Sequence, residues 1–474
     1  MSKKFYITAA IPYVNAKPHI GHALEFVQVD AIKRYHTLLG FDAKSLSGGD
    51  ENALKNVQAA EATGTPIQEF VDTNTELFRD LAVKLNAEFD VWQKGSDQTH
   101  HFLSVQKLWR LCERDIYKKK YEGLYCVGCE TFYTPDELNE NGECFEHPGK
   151  KLQKVAEENY FFSLSKYQKQ LIDLISTDKL KIIPEFRKNE VLSFLKEPLQ
   201  DISISRSNER AKNWGVPVPD DPLQRIYVWF DALNIYQSGI GFGWDEEKYN
   251  KYWPADIHII GKGITRFHAV YWPAFLLSAN LKLPKSIYIH GYLTVNGQKM
   301  SKTVGNIVDP IPLIEKYGAD AIRYYLLAKV TPFGDGDFSE EKLKEVYNAD
   351  LANGLGNLVA RVAKLCETNS LNPDEPSKQE EIIARALGDN FLLNKALEVL
   401  WHEKIDVANK YINDNKIWET KDKALLKHLN HLVQEIRIIA FNLKPFLPET
   451  AAKIEKQFTG PTIKSSEALF PRLK

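Results

Sequence analysis

Two histidines, His19 and His22, stand three residues apart in the segment Pro18-His19-Ile20-Gly21-His22, at the start of a run with apolar residues at helical spacing. The first turn of a helix presents unpaired backbone N–H groups and the positive end of the helix dipole, and both attract phosphate. Imidazole N–H groups placed there can donate to the non-bridging oxygens of a phosphorus atom in a transition state, and Gly21 leaves room for close approach. Taken alone, histidines that only cap a helix explain the pattern better.

A second group of residues suited to phosphate lies far downstream, on the loop "VNGQKMSKTVGN". Lys299 and Lys302 bracket Met300 and Ser301, and glycines flank the loop. Two lysines on a mobile loop can close on a triphosphate and stabilise the leaving pyrophosphate. A single K-x-x-K would indicate only a solvated turn, but the two patterns together predict a nucleotide site.

Four potential metal ligands lie in one turn-rich segment. Cys126 and Cys129 have C-x2-C spacing, and after fourteen residues Cys144 and His147 have C-x2-H spacing. Thiolate and imidazole ligands in two such pairs predict one structural, tetrahedral zinc ion with no open coordination position. Because the segment has few core residues, the metal would supply much of its folding free energy. The alternative is a set of reduced surface cysteines.

The elements that must position these residues follow a repeating order. A strand near the N-terminus precedes a helix that stops at Gly40, and a second strand precedes a helix that begins near Ala53. Strands and helices alternating at this spacing predict an α/β fold with a doubly wound, Rossmann-like parallel sheet. Ligands of such sheets bind at the carboxyl ends of the strands, where His19, His22 and Asp50 would lie.

The remainder of the chain divides into further regions. An insertion around the cysteines interrupts the pattern, strand-like stretches return at "RIYVWFDALNIY", "DIHIIGKGI" and "SIYIHGYLTV", and from about Asp350 the pattern is helical. We therefore expect a zinc-binding connective insertion within the catalytic domain and a C-terminal all-α bundle. The predicted domains are 1–117 (catalytic, first half), 118–205 (connective insertion), 206–325 (catalytic, second half, with the lysine loop at 299–303), 326–348 (linker) and 349–474 (helical bundle).

Length and composition are those of a globular protein, with 474 residues, 43% of them hydrophobic, and a formal net charge of −2. A chain of this length predicts about two to four domains. The sequence has no apolar run of the roughly 18 residues that span a bilayer and no signal-peptide pattern, so we expect a cytoplasmic protein. The net charge excludes neither a nucleic acid nor a small molecule as partner.

The ordered motifs resemble those of a known family. "PHIGH" and "KMSKT" resemble the signature pair of class I aminoacyl-tRNA synthetases, and four further segments are similar to methionyl-tRNA synthetases: "YVWFDALNIY", "IIGKGITRFHAVYWPAFL", "HGYLTVNGQKMSKTVGNIVDP" and "YGADAIRYYLL". The set of three cysteines and one histidine is similar to the single-zinc form of that family's connective insertion. The resemblance extends from about Phe5 to the closing "ALFPRLK" and so covers nearly the whole chain.

The resemblance implies a methionine–tRNA ligase. Such an enzyme activates L-methionine with ATP to methionyl-adenylate and transfers the aminoacyl group to the 3′-terminal adenosine of tRNA(Met), including initiator tRNA. It would use Mg²⁺ with ATP, hold one structural Zn²⁺ per chain and bind no membrane. It would act as a cytoplasmic monomer, since the sequence stops after the helical bundle without the dimerising domain that some members carry.

The resemblance also implies roles for individual residues, with the C-terminal bundle binding the anticodon. The catalytic residues would be His19, His22, Lys299 and Lys302. The ATP-binding residues would be His19, Gly21, His22, Gly261, Leu293 and Lys302. Asp50 would hold the α-ammonium group in a methionine pocket formed by Ala10, Ile11, Tyr13, Trp229, Ala232, Leu233, Tyr236, Ile264 and His268. The anticodon would contact Asn357, Arg361 and Trp418. On residue type alone, Trp229 and Tyr236 would instead be core aromatics of a buried strand.

Three positions depart from the usual family pattern. Asn52 stands where Gly-Thr-Asp-Glu-His-Gly has its histidine, Gly263 replaces the aspartate of Gly-Lys-Asp-Ile, and Thr303 replaces a serine. Two other functions remain open at this point. One is a sister synthetase for cysteine, leucine, isoleucine or valine, and the other is a catalytically silent relative that binds tRNA or nucleotide.

Overall fold

The computed structural model describes residues 3–147, 149–300, 305–376 and 380–473. These residues form two compact units. The first unit comprises the described residues up to Pro18, together with Gly40–Asp80 and Glu88–His290. The second unit comprises His19–Leu39, Leu81–Ala87 and the described residues from Gly291 onward.

The core of the first unit is a six-stranded sheet. In spatial order its strands are Val91–Lys94, Asp42–Gly49, Lys4–Ala9, Ile257–Gly261, Ser286–His290 and Lys181–Ile183. All neighbouring strands pair in parallel. The central strands are buried along nearly their whole length, so their sequences are apolar runs rather than alternating patterns. The predicted doubly wound parallel sheet is confirmed, and its strand order reverses between Lys4–Ala9 and Ile257–Gly261.

Two antiparallel sheets lie within the segment 116–226. One has four strands, in the spatial order Thr131–Tyr133, Ile116–Cys126, Gln153–Phe162 and Ile202–Ser203. The other has three, in the spatial order Pro217–Val218, Asp221–Ile226 and Ser205–Ser207. The cysteine-rich segment connects the two long strands of the first of these sheets. These strands pair antiparallel, so the segment is anchored at both ends of a hairpin.

The helices of the first unit connect and cover these strands. They are Leu54–Thr63, Ile67–Lys84 (whose last turn belongs to the second unit), His101–Cys112, Gln168–Ser176, Glu185–Phe194, Val228–Leu233, Ile235–Ser238, Glu246–Tyr252, the π-helical turn Phe267–Tyr271 and Trp272–Ser278. The helix predicted to begin near Ala53 is confirmed.

One strand prediction is wrong. The stretch "RIYVWFDALNIY" remains a strand only to Ile226, and Val228–Leu233 is a helix. All six residues of this helix are buried, Asp231 included, so the sequence has no exposed polar face that would reveal the helical period. Packing decided the local structure against the intrinsic strand preference of these residues.

The second unit contains the predicted helical region and a small sheet. The sheet has the spatial order Gln298–Lys299, Leu293–Val295 and Gly336–Phe338. The helices are Ile20–Leu38, Pro310–Tyr317, Ala319–Tyr324, Tyr325–Lys329, Glu340–Val346, Tyr347–Gly356, Asn357–Thr368, Ala384–Leu387, Leu393–Val399, Leu400–Ile405, Asp406–Asp414, Asp422–Leu443 and Pro448–Phe458. The helical tail expected from about Asp350 is confirmed.

A buried ion pair fixes the helix Ile20–Leu38 within this unit. Nη2 of Arg323 lies 2.7 Å from Oδ2 of Asp30, and both side chains are at most 1% exposed. Nε of Arg323 also donates to the carbonyl oxygen of Phe446 over 2.7 Å. Because a buried charge that loses its partner is strongly destabilising, this pair holds the helix in one position. Among the described residues, no helix is long and apolar enough to cross a membrane.

Candidate active site

The two histidines cap their helix reciprocally. His19 is the N-cap of Ile20–Leu38, and His22 occupies the third helical position. Gly21 N donates to Nδ1 of His19 over 3.1 Å, and His19 N donates to Nδ1 of His22 over 3.1 Å. The ring centroids lie 3.9 Å apart. The capping interpretation is therefore correct for the Nδ1 atoms, and it leaves the chemistry of the other ring nitrogen to be considered.

The same hydrogen bonds define the protonation of both rings. Because each Nδ1 accepts a hydrogen bond, a neutral ring carries its proton on Nε2. Burial lowers the pKa of His19 to about 4. Burial, and secondly the neighbouring His19, hold the pKa of His22 well below its ordinary value. Both imidazoles are therefore neutral at pH 7, with an Nε2–H group as donor.

Gly21 is surrounded so closely that no side chain fits without displacement. A Cβ atom built on it would lie 2.9 Å from Cε1 of His19 and 3.6 Å from Cε of Met300. Ile20 N donates to the carbonyl oxygen of Val308 over 3.0 Å, which joins the helix start to the chain beyond the lysine loop. The methionine within "KMSKT" thus lies beside the glycine within "PHIGH".

Two other predicted nucleotide-site residues of this unit can be placed in part. Leu293 is buried at the start of its strand, and Lys299 ends the strand Gln298–Lys299. Lys302 and Thr303 lie outside the described residues. Gly261, in the first unit, is the last residue of a central strand, and Gly263 belongs to the 3₁₀ turn Lys262–Ile264 that follows.

Asp50 is a buried carboxylate at the end of the strand Asp42–Gly49, only 3% exposed. Its main chain forms a bridge with Tyr13 and accepts a hydrogen bond from Nδ2 of Asn56 over 2.8 Å. Within the part of the chain that the structure describes, no hydrogen bond or ion pair to its carboxylate is found. Burial, and then the nearby charge of Asp231, raise the pKa of Asp50 well above its ordinary value. The nearby Lys55 ammonium offsets part of this rise, and a cation bound directly to the carboxylate would favour its charged form further.

Aromatic rings from several elements pack together around Tyr13, whose main chain forms the bridge to Asp50. Trp229 stacks face to face on Phe267, with centroids 3.7 Å apart and ring planes 5° apart. Tyr13 and His268 approach Trp229 edge-on, at 6.1 and 6.3 Å. The Tyr13 hydroxyl is buried, and among the described residues it has no hydrogen-bond partner. Buried polar groups usually have a partner, so the Tyr13 hydroxyl is available to a bound ligand.

A hydrogen-bonded chain fixes the orientation of His268. Its Nδ1 lies 3.0 Å from the carbonyl oxygen of Ile264, which can only accept, so Nδ1 carries the proton. The Tyr236 hydroxyl therefore donates to Nε2 over 2.7 Å. Burial lowers the pKa of His268 to about 4, which keeps the ring neutral.

The remaining predicted pocket residues lie around these rings in the first unit. Ala10 N donates to the carbonyl oxygen of Ile259 over 3.0 Å, and Ile11 follows it on the loop after the first strand. Ala232 and Leu233 are buried on the same short helix as Trp229. These contacts place the predicted pocket residues next to the carboxyl ends of neighbouring parallel strands, as the fold class requires.

Asn52 takes part in a buried polar network. Its Nδ2 donates to the carbonyl oxygen of Gly95 and to Oδ2 of Asp231, both over 2.7 Å. The other carboxylate oxygen of Asp231 contacts Nε2 of His101, whose Nδ1 lies 2.7 Å from Oγ of Ser238. An imidazole is therefore present on the far side of Asp231 although the loop itself has an asparagine.

The three cysteines and His147 form one compact cluster. Their ligand atoms lie within 4.8 Å of one another, and the S···S and S···Nδ1 distances between hydrogen-bonding pairs are 3.2–3.8 Å. A tetrahedron with zinc–ligand bonds of about 2.0–2.3 Å has edges of about 3.5–3.8 Å. The side chains present therefore fit a tetrahedral zinc ion.

The predicted anticodon residues share one region of the second unit. The guanidinium of Arg361 lies 5.9 Å from the ring centre of Trp418, which is 53% exposed. Arg361 also donates to Oδ1 of Asn413 over 3.0 Å. Asn357 lies one helical turn before Arg361 on the helix Asn357–Thr368. A guanidinium and an exposed indole are groups that stack with unpaired bases.

Comparison with known proteins identifies the family. A family model described as "tRNA synthetases class I (M)" matches residues 5–363. The methionine–tRNA ligase of Thermotoga maritima is 40% identical, over 98% of this chain and 77% of that protein. That of Brucella suis is also 40% identical, over 95% of this chain and 91% of its own. The chain belongs to the methionyl-tRNA synthetase family.

Solved structures of this family have the same fold. A structure of Mycobacterium tuberculosis methionyl-tRNA synthetase in complex with methionyl-adenylate is 37% identical, with a TM-score of 0.90. The match covers 99% of this chain and 100% of that one. The apo form of the same enzyme is 34% identical, with a TM-score of 0.83. The class I synthetase fold with its helical C-terminal region is thus shown for this chain.

Some residues in these sites were not found from the sequence. Phe267, which stacks on Trp229, directly precedes His268 in a segment that resembles methionyl-tRNA synthetases, and that adjacency was the only available signal. Lys55 lies with its ammonium 3.1 Å from the ring centre of Tyr13, yet its sequence context suggested only a helix start. Asn413 carries no motif at all.

Proposed function

We propose that this protein is a methionine–tRNA ligase that activates L-methionine with ATP and charges tRNA(Met), including initiator tRNA. The methionine carboxylate attacks the α-phosphorus of ATP in line, giving methionyl-adenylate and pyrophosphate. The aminoacyl group then passes to the 3′-terminal adenosine of the tRNA, first to its 2′-hydroxyl. The observation that carries the substrate assignment is the buried Asp50 carboxylate without a partner among the described residues, beside an aromatic pocket.

The pocket of the first unit binds methionine by two kinds of contact. Asp50 pairs with the α-ammonium group. The buried carboxylate has no hydrogen-bond partner among the described residues, and a charge-assisted hydrogen bond from the substrate supplies one. The faces of Trp229 and Tyr13, with His268, contact the thioether, because polarisable sulfur packs well against aromatic rings. Ile11, Ala232 and Leu233 supply the apolar remainder of the pocket. Tyr236 keeps His268 oriented, and burial keeps it neutral.

The histidines of the second unit act on ATP. Nε2–H donors of His19 and His22 stabilise the negative charge that grows on the α-phosphate oxygens in the transition state. Gly21 allows the phosphate to approach the helix N-terminus closely. Lys299 and Lys302 bind the leaving pyrophosphate, while Gly261 and Leu293 contact the nucleotide through their main chains. Catalysis is then positioning and charge stabilisation without a protein base.

Two metal ions complete the proposal. Magnesium bound with ATP would neutralise charge on the phosphates. Zinc is held by the Cys126, Cys129, Cys144 and His147 side chains and has a structural role, because all four positions of a tetrahedron are filled by protein. The domain boundaries given above, a monomeric state and a cytoplasmic location belong to the same proposal.

The decisive test is ATP–pyrophosphate exchange with single amino acids. Exchange that depends on methionine and not on cysteine, leucine, isoleucine or valine supports the proposed function. Exchange with one of the other four instead identifies a sister synthetase. Absence of exchange with all five, in a protein that still binds tRNA, identifies a catalytically silent relative.

Trp418→Ala is expected to impair tRNA charging without changing ATP–pyrophosphate exchange. Loss of one base-stacking contact costs about 1–3 kcal/mol, so kcat/KM for tRNA should fall about 10- to 100-fold. The measurement is aminoacylation with tRNA(Met) transcripts of native and altered anticodon. Leu426→Ala, another exposed apolar residue of the helical region, is the matched control and should charge normally. Equal charging by W418A and wild type would contradict the anticodon assignment.

Cys144→Ser is expected to lower zinc content and loosen the cysteine-rich segment. Metal binding and folding are coupled in segments with few core residues, so one missing thiolate removes much of the fold of this region. Zinc is counted by mass spectrometry, and limited proteolysis maps new cleavage sites between residues 126 and 147. Cys366→Ala is the control, since Cys366 is buried outside the cluster. Unchanged zinc stoichiometry in C144S would rule out this ligand set.

A further inference from the structure

The helix that follows Asp50 is bound to the loop between the zinc cysteines at two points. This loop, Cys126–Glu130, is called the knuckle loop below. Nζ of Lys55 donates to the carbonyl oxygen of Gly128 over 2.7 Å, and Lys55 N donates to Oε1 of Glu130 over 3.2 Å. One residue in the first turn of Leu54–Thr63 thus binds the loop through both side chain and main chain.

The knuckle loop is itself held firmly at Glu130. This carboxylate is fully buried, and its Oε2 lies 3.0 Å from Nη1 of Arg206. The Tyr125 hydroxyl also donates to it. Glu130 has a positive φ of 56°, a conformation that a non-glycine residue keeps only where its surroundings impose it. The loop is therefore a fixed support on which other groups can be positioned.

The same ammonium group of Lys55 also contacts Tyr13, a residue of the proposed methionine pocket. It lies 3.1 Å from the ring centre of Tyr13, on the ring face. Trp229 is also bound to the knuckle loop, since its Nε1 donates to the carbonyl oxygen of Cys129 over 3.2 Å. Two side chains of the pocket region, Lys55 and Trp229, thus bind consecutive carbonyl groups of the knuckle loop.

We propose that Lys55 is a positioning residue for methionine, which fixes the Tyr13 ring relative to the knuckle loop and so preorganises the pocket. The proposal rests on the proposed function, since it assumes that Tyr13 and Trp229 bind methionine. Lys55 contacts pocket residues and not the phosphate-binding histidines. Its loss therefore weakens methionine binding more than it slows the chemical step.

The test uses Lys55→Met, which keeps the length of the side chain and removes the ammonium group. We expect KM for methionine to rise about tenfold, which is the size of a lost charge-assisted hydrogen bond, with kcat and KM for ATP within about twofold of wild type. Lys55→Arg, which restores a cation and donors, should recover much of the affinity. Equilibrium dialysis with methionine alone measures the same loss without any reaction.

Controls separate positioning from general destabilisation. Glu61 lies on the same helix as Lys55, and its Oε1 accepts from Nζ of Lys212 over 2.6 Å in an exposed ion pair. Lys212→Met removes this ion pair and should leave kcat and both KM values unchanged. Zinc content and melting temperature are measured for every variant. An unchanged KM for methionine in K55M would overturn the proposal, and so would a parallel rise of both KM values with loss of zinc. If wild-type protein shows no methionine-dependent exchange, the proposed function itself fails, which is a different outcome from an active wild type with an unaffected K55M.

Discussion

The His19→Ala variant is expected to form methionyl-adenylate about 10²- to 10³-fold more slowly than wild type, with little change in KM for methionine. The neutral ring has its proton on Nε2, since Nδ1 accepts from Gly21 N, so the ring offers one directed donor. Because burial lowers the pKa of His19 to about 4, this donor is unchanged across neutral pH. Single-turnover adenylate formation measures the chemical step directly.

Two further substitutions at this position separate catalysis from helix capping. His19→Ser keeps an N-cap acceptor, since serine is among the best residues there, but places no donor at the distance of Nε2. His19→Asn keeps both an acceptor and a short amide donor. If the ring serves only as a cap, H19S should be as active as wild type, and the catalytic assignment would be withdrawn. If the donor matters, H19S should be as slow as H19A, and the rate of H19N should lie between those two variants and wild type.

The sheet and the zinc ligands could be predicted from the sequence because their signals are local. The apolar runs of the parallel strands and the end of the first helix, Leu38, two residues before Gly40, each lie within one short segment. The metal ligands lie in two pairs whose spacing is typical of a structural zinc site, and their ligand atoms do lie together. Such signals need no knowledge of which distant segments meet.

The remainder of the site depends on contacts between distant segments. Trp229 was interpreted by residue type as part of a strand, but packing on all sides makes Val228–Leu233 a helix and stacks the indole on Phe267. The histidine expected at position 52 is absent, yet His101 reaches the same carboxylate, Asp231, from a helix 49 positions further along the chain. No local pattern in the sequence indicates either meeting.

Asp50→Asn is expected to raise KM for methionine about 100-fold, because removing one charge of a buried pair costs about 3–5 kcal/mol and the amide oxygen of asparagine recovers part of it. The same substitution should not destabilise the fold, although it weakens methionine binding. A buried carboxylate without a partner among the described residues destabilises the empty protein, so D50N should melt at the same or a higher temperature. Calorimetric melting and methionine titration test both halves on the same sample.

The neighbouring carboxylate provides the matched control. Glu51 is equally buried, but its oxygens accept hydrogen bonds from Thr75 Oγ1 over 2.6 Å and from Ser96 N over 2.9 Å. Glu51→Gln should therefore change KM for methionine far less than D50N does, because the Glu51 oxygens already have partners within the protein. Since the pKa of Asp50 is raised in the empty site, methionine affinity in wild type should increase as pH rises through that pKa, and D50N should lose this dependence. Equal KM values for D50N and E51Q would show that Asp50 is a structural carboxylate and that the substrate ammonium binds elsewhere.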